Sequence, residues 1–293
     1  MKLATLKDGS RDGQLAVVSS DLTRAHYAAG IATTLQQALD DWNFIAPQLQ
    51  DLATMLEHGK ARHAFPFDPQ AAMAPLPRAS HCALQALGAP APAFWPADAL
   101  WGAGDPVRLP APAADGSTPD LWYAPGLTAV CGDIERGTVA EAAPDGVRLL
   151  LATAAWLAQP PGEAVSRPLA LACAPVAVTP DELGSAWARG GLHWALGDAP
   201  PAPLPGDGAA TLGRLIAALA QWRPLRAGAL AGWRLPLPGE QGAAASAAWP
   251  EARPVSATTG GAAAPSLTVL GEGAHGPLFG TLTPRLLPSA AQG

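Results

Sequence analysis

Charge is what this sequence has least of. Asp, Glu, Lys and Arg make up 14% of its 293 residues, against 49% that are apolar, so self-repulsion does not hold the chain open and a core can form. The 18 basic residues form no cluster and the net charge is −6, which excludes an extended surface for nucleic-acid phosphates. No apolar run approaches the ~20 residues of a membrane span. The opening MKLATLKDGSRDGQLAVVS lacks a continuous apolar stretch of the secretory kind, so the cytoplasm is the expected compartment. Cys82, Cys131 and Cys173 are odd in number and have no CxxC spacing, which fits small core residues in a reducing compartment better than disulfides or thiolate ligands. There is no GxSxG elbow. His26, His58, His63, His193 and His275 share no HxxxH spacing for a metal.

Gly (31) and Pro (32) are abundant, which predicts many turns and short elements. MKLATL and QLAVVS, separated by KDGSRDG, read as a β-hairpin. Leu35, Leu39, Trp42, Ile45, Leu49, Leu52 and Leu56 then recur at helical spacing. Thr33 with Gln36 suits a capping box, Pro47 the start of a second helix and Gly59 its end. Residues 66–119 are rich in Pro and Ala with little periodicity. Further on, VTPDELGSAWARGG predicts a helix capped by Thr179 and stopped at Gly190 and Gly191, and ATLGRLIAALAQW one with Leu212, Leu215, Ile216, Leu219 and Trp222 on its buried face. The boundaries that follow are a small N-terminal domain over 1–72, a linker and lead-in over 73–119, and a large domain over 120–293.

Several stretches together carry a resemblance: the hairpin at 1–19, TLQQALDDW (34–42), FDPQAAMAPLPRA (67–79), VCGDI (130–134), RPLALACAPVAVTPDELGSAW (167–187) and LGRLIAALAQWRPLRAG (212–228). The chain resembles the fumarylacetoacetate hydrolase family, whose members cleave, decarboxylate, isomerise or tautomerise keto and diketo acids. The resemblance implies an α+β fold, with a small N-terminal α/β domain before a mixed β-sandwich roll, commonly paired as a homodimer. It also implies a Mg²⁺, Mn²⁺ or Ca²⁺ ion on carboxylates, which polarises keto and enolate oxygens.

The family places two of those carboxylates as Glu-x-Glu on the strand leading into the Gly-Asp turn, where positions i and i+2 share one face. Registered on VCGDI, they fall on Ala124 and Gly126, and the third ligand falls on Ala155 in the next apolar run. All three lack an oxygen, so no metal cofactor is expected. Asp133 and Glu135 lie past the strand and read as solvated acids. The family's lysine corresponds to Arg167, and its small, open substrate loop to a segment in which Gly232 remains while Trp233 and Arg234 add bulk. His81 is the candidate for the family's catalytic histidine.

These positions imply a pseudoenzyme: a fumarylacetoacetate hydrolase-like protein with its metal site lost, acting as a non-catalytic interaction or regulatory protein. The expected partner is a second copy or a catalytically intact paralogue, with no nucleic acid and no membrane. Two other readings remain open at this point. One is an enzyme that handles a keto or diketo acid through a rebuilt site of His81, Arg167 and Arg234. The other is a metal-free module that binds a small carboxylate on its arginines.

Overall fold

The KDGSRDG turn closes the expected hairpin of β1 (Lys2–Leu6) and β2 (Gln14–Val18). Its glycines Gly9 and Gly13 take φ of 88° and 62°, values that side chains disfavour. The fold comes from a computed structural model, which describes all residues except 113–114, 164, 185, 188–190, 205–207, 239, 241–252, 256–265, 272–275, 284 and 288–293. Two residues named above, Gly190 and His275, thus lie outside the described residues.

After β3 (Arg24–Tyr27) come α1 (Leu35–Asp40) and α2 (Trp42–Glu57). The capping box is shifted by one from expectation: Thr34 Oγ1 accepts from the Gln37 N–H, and Gln37 Oε1 accepts from the Thr33 N–H at 2.9 Å. Pro47 lies inside α2 rather than at its start, because Asp41 already turns the chain into a helix at Trp42. Leu49, Leu52, Ala53 and Leu56 form its buried face, and Gly59 follows its C-cap with φ 67°.

Next in the chain are β4 (Phe65–Pro66), β5 (His81–Ala86), β6 (Ala93–Phe94), β7 (Leu100–Trp101) and β8 (Pro106–Arg108). Two long strands follow, β9 (Asp120–Cys131) and β10 (Val147–Gln159), then β11 (Arg167–Cys173), β12 (Ala177–Val178) and the short helix α3 (Pro180–Leu183). The remaining elements are β13 (Leu192–Leu196), β14 (Ala202–Pro203), α4 (Ala209–Ala220), β15 (Ala229–Arg234), β16 (Arg253–Val255), β17 (Leu267–Gly271), β18 (Pro277–Leu282) and β19 (Arg285–Leu287). Thr179 precedes α3, but its hydroxyl bonds the backbone of Met1 instead of capping, and Gly184 at φ 54° ends that helix.

One mixed sheet holds most strands, in the order β4-β3-β2-β1-β12-β10-β9-β15-β5-β6, with β11, β7 and β16 pairing at its sides. A four-stranded sheet, β14-β13-β17-β18, packs separately. The N-terminal strands therefore continue the main sheet through the β1–β12 pair. The Pro- and Ala-rich stretch 73–119, expected as linker and lead-in, contributes an inner strand, since β5 runs parallel beside β15. The class is α+β. Among the described residues no helix is long and apolar enough to cross a membrane.

Apolar layers cover both faces of the central strands, which is why β9 and β10 read as continuous apolar runs rather than alternating ones. Even-numbered residues of β10, with α4 and the second sheet, build one layer. Odd-numbered residues of β10 from Leu149 onward, with α1 and α2, build the other. Cys82, Cys131 and Cys173 are free and buried, and burial pushes the Cys82 and Cys131 thiols up to about 12. They are inert core residues at neutral pH. Trp222, expected on the buried face of α4, lies past the helix end and is 80% exposed.

Candidate functional site

The three positions of the implied metal site converge. Ala155 of β10 stands directly opposite Ala124 of β9, and the next pair on that face is Thr153 opposite Gly126. On the other flank of β9, Arg234 of β15 pairs with Gly126 and Gly232 with Thr128. Alternation along each strand puts Ala124, Gly126, Thr128, Thr153, Ala155, Gly232 and Arg234 on one face of the sheet. That face is the α1/α2 layer, where Ala124 and Ala155 pack with Leu157, Leu171, Leu230 and Leu237. The two hydroxyls beside these positions are already engaged: those of Thr128 and Thr153 bond each other at 3.0 Å.

A cation does stand on this face, and it belongs to the chain. Arg234 is buried and forks onto Glu240, with Nη1–Oε2 at 2.8 Å and Nη2–Oε1 at 2.9 Å. Its Nη1 also donates to the Leu235 carbonyl, and Glu240 Oε2 accepts from the Leu237 N–H. Burial alone would raise the Glu240 carboxyl, but the hydrogen bonds and charge of Arg234 and the Leu237 N–H hold it below the ordinary carboxylate value. A bidentate pair of this kind satisfies both groups without an outside ion.

Backbone crowding explains the two glycines. A Cβ on Gly126 would lie 2.0 Å from the Trp233 carbonyl oxygen and 3.0 Å from Arg234 Cα. A Cβ on Gly232 would lie 2.3 Å from Thr128 Oγ1. Pro125 fits the strand because it sits between the β15 ladder at 126–130 and the β16 ladder at 121–123.

The remaining candidates stand elsewhere. His81 opens β5, five positions before Ala86, which pairs with Arg234; at ~3.3 Å per residue it lies ~16 Å along the strand from that row. It also faces the other way, toward α4, with Leu219, Trp222 and Arg223. Arg223 Nη2 donates to its Nδ1 at 2.8 Å and Phe94 meets its ring edge-on. Burial, and then the Arg223 charge, hold this imidazole below its usual value. Arg167 starts β11 at the exposed end, paired with Glu163 at 2.8 Å; Leu171 is the β11 residue opposite Ala155, ~13 Å further along the strand. Trp233 alternates away from Gly232 and Arg234, and packs edge-on against Trp194 in the other layer. Bulk in the substrate segment thus comes from Arg234, not from Trp233. Asp133 and Glu135 are exposed beyond the end of β9. Glu240, Thr128, Thr153 and Arg223 were not signalled by any motif, although a strand arginine between apolar neighbours implies a nearby carboxylate.

Residues 1–78 match the family of fumarylacetoacetase N-terminal domains, domain 2. Among solved structures, maleylpyruvate hydrolase from Sphingobium sp. SYK-6 is similar with a TM-score of 0.68 at 15% identity, covering 99% of this chain and 100% of that one. The chain has the fumarylacetoacetate hydrolase fold, and its residues 1–78 match that N-terminal family model. The same Sphingobium enzyme in complex with manganese(II) and pyruvate matches with a TM-score of 0.67, at 15% identity and coverage of 99% and 100%. Fumarylacetoacetate hydrolase from Exiguobacterium antarcticum matches at 0.60 and 13% identity, covering 98% of this chain and 99% of that one. No curated protein matches the chain in sequence.

The residues on this face of the fumarylacetoacetate hydrolase fold do not suit a divalent cation. Hard cations require about six to eight oxygen ligands. Here the implied positions offer two methyl groups and a bare Cα, the neighbouring hydroxyls bond each other, and the charged neighbour is a guanidinium. Among the described residues no three His, Cys, Asp or Glu side chains gather around a point that could hold a metal ion.

Proposed function

We propose that this chain is a fumarylacetoacetate hydrolase-like pseudoenzyme, acting as a non-catalytic interaction or regulatory protein. One observation carries the reading: Ala124, Gly126 and Ala155 come together on one buried face, beside an arginine that already has its own carboxylate. Metal-assisted chemistry on keto acids needs a Lewis acid at the enolate oxygen, which contributes several kcal/mol to the transition state. A face of alanine, glycine and an internal ion pair supplies none. The rebuilt site of His81, Arg167 and Arg234 gains no support either, because those groups sit on different faces and at opposite strand ends.

The purified chain is therefore expected to show no hydrolysis of acylpyruvates and no decarboxylation of oxaloacetate above background, with or without Mn²⁺. Metal-stimulated turnover that follows the protein through purification would refute the proposal. As an interaction protein the chain should also pair. Its low charge and the exposed side chains of Phe44, Val139 and Val165 support a dimer, homomeric when expressed alone. Light scattering should then give twice the chain mass at micromolar concentration, and a monomer across that range would remove the assembly claim.

A further inference from the structure

The face of the sheet opposite Arg234 carries a groove between α4 and the segment Gly88–Phe94. Two cavities lie in it and share Pro90, Pro92 and Ala218. The one beside His81 has a volume of about 380 Å³ and is lined by His81, Phe94, Leu219, Trp222 and Arg223, a size within the ~300–1,000 Å³ of small-molecule sites.

Its chemistry is unusual for this chain. Phe94 and Trp222 are 71% and 80% exposed, so two aromatic faces line one cleft in water. Exposed apolar surface gathered around a cavity marks a binding site more often than scattered single residues do. Arg223 donates to His81 Nδ1, and among the described residues it has no carboxylate partner. A guanidinium only donates, so His81 Nδ1 is the acceptor, the ring is neutral and its proton sits on Nε2. That Nε2 is buried and has no partner. Among the described residues no acidic one lines the cleft. They thus offer there a planar cation with no counter-charge of its own, a neutral histidine and two aromatic surfaces.

We propose that this cleft binds a small aromatic carboxylate, with its ring against Phe94 and Trp222 and its carboxylate on Arg223. The guanidinium supplies the charge complement and the fork geometry for a carboxylate. The two rings supply a flat apolar contact that an aliphatic acid of similar charge would fill poorly. The proposal uses none of the residues of the Ala124 face, so it stands or falls independently of the pseudoenzyme reading.

Calorimetric titration of the full chain with 2-naphthoate and with its neutral amide tests it. The acid is expected to bind saturably, with the amide at least about tenfold weaker. Arg223→Gln should abolish the preference for acid over amide, and Trp222→Ala should weaken both ligands alike. Both positions are exposed, and matching thermal melts would show that the variants fold. Three results would overturn the proposal: no saturable binding by the wild type, an acid preference that survives Arg223→Gln, or a Trp222→Ala variant that loses its dimer mass while binding naphthoate unchanged.

Discussion

Gly126→Glu will break the centre of the sheet rather than begin to rebuild a cation site. The obstacle is backbone: a Cβ at this position would lie 2.0 Å from the Trp233 carbonyl oxygen, and β15 cannot retreat without losing its ladder to β9 and its parallel pairing with β5. Overpacking a tight interior costs about 1–3 kcal/mol per added group, and a carboxylate among the apolar side chains adds a buried-charge penalty to that. Gly126→Ala isolates the first part. It should lower the melting temperature by several degrees, roughly 6 °C for about 3 kcal/mol in a chain of this size. Gly126→Glu should fail to give a cooperative transition at all. An alanine variant that melts with the wild type would show that β9 and β15 are not pressed together at this point. Restoring all three carboxylates would meet the same obstacle, and Arg234 would still stand beside them.

The second large effect belongs to the ion pair. Glu240→Gln leaves the Arg234 guanidinium buried without a counter-charge, because among the described residues its acceptors are then neutral, the Leu235 carbonyl and the new amide oxygen. Removing one partner of a buried pair costs about 3 kcal/mol, at the low end of the measured range because Glu240 is partly exposed. Replacing both, as Arg234→Met with Glu240→Leu, should recover most of that loss. The pH dependence has a definite sign. Glu240 is held below its ordinary carboxylate value, so its contribution is fully present above the unfolded value near ~4.3 and disappears as pH falls through the lower folded value. The melting-temperature gap between wild type and Glu240→Gln should therefore be constant from neutral pH to about 5 and narrow progressively as the pH falls below about 4. A gap that does not narrow at all in acid would mean that the carboxylate is not what Arg234 requires.

Local chemistry was readable in the sequence, and distant pairing was not. The hairpin at 1–19 carries its own turn, and the face of α2 carries its own period. The convergence of Ala124, Gly126 and Ala155 was within reach because β9 and β10 are neighbours in sequence and pair antiparallel. Strand β5 was hidden for the opposite reason. HCALQA is six residues long among prolines, and its partner β15 runs parallel to it from about 150 positions further on, with no local pattern to announce it. Without that partner the phase of β5 was open, and with it the side of the sheet on which His81 would stand. The same holds for Trp233: alternation turns it away from Arg234, but only a placed strand says which face is which. Trp222 continues the helical period of α4, yet α4 stops at Ala220. Period alone does not mark the last turn of a helix that carries no C-terminal glycine.

The most direct test of the account is the thermal stability of the whole chain across a Mn²⁺ series, from EDTA to about 10 mM. A ligand that binds only the folded state raises the transition with the logarithm of its concentration, by about 2.7 kcal/mol at a hundredfold excess over its Kd. With Ala124, Gly126 and Ala155 on the face and Arg234 beside them, the melting temperature should not move. A saturable rise that EDTA reverses would contradict the account, because it would mean that this fold still holds a divalent cation.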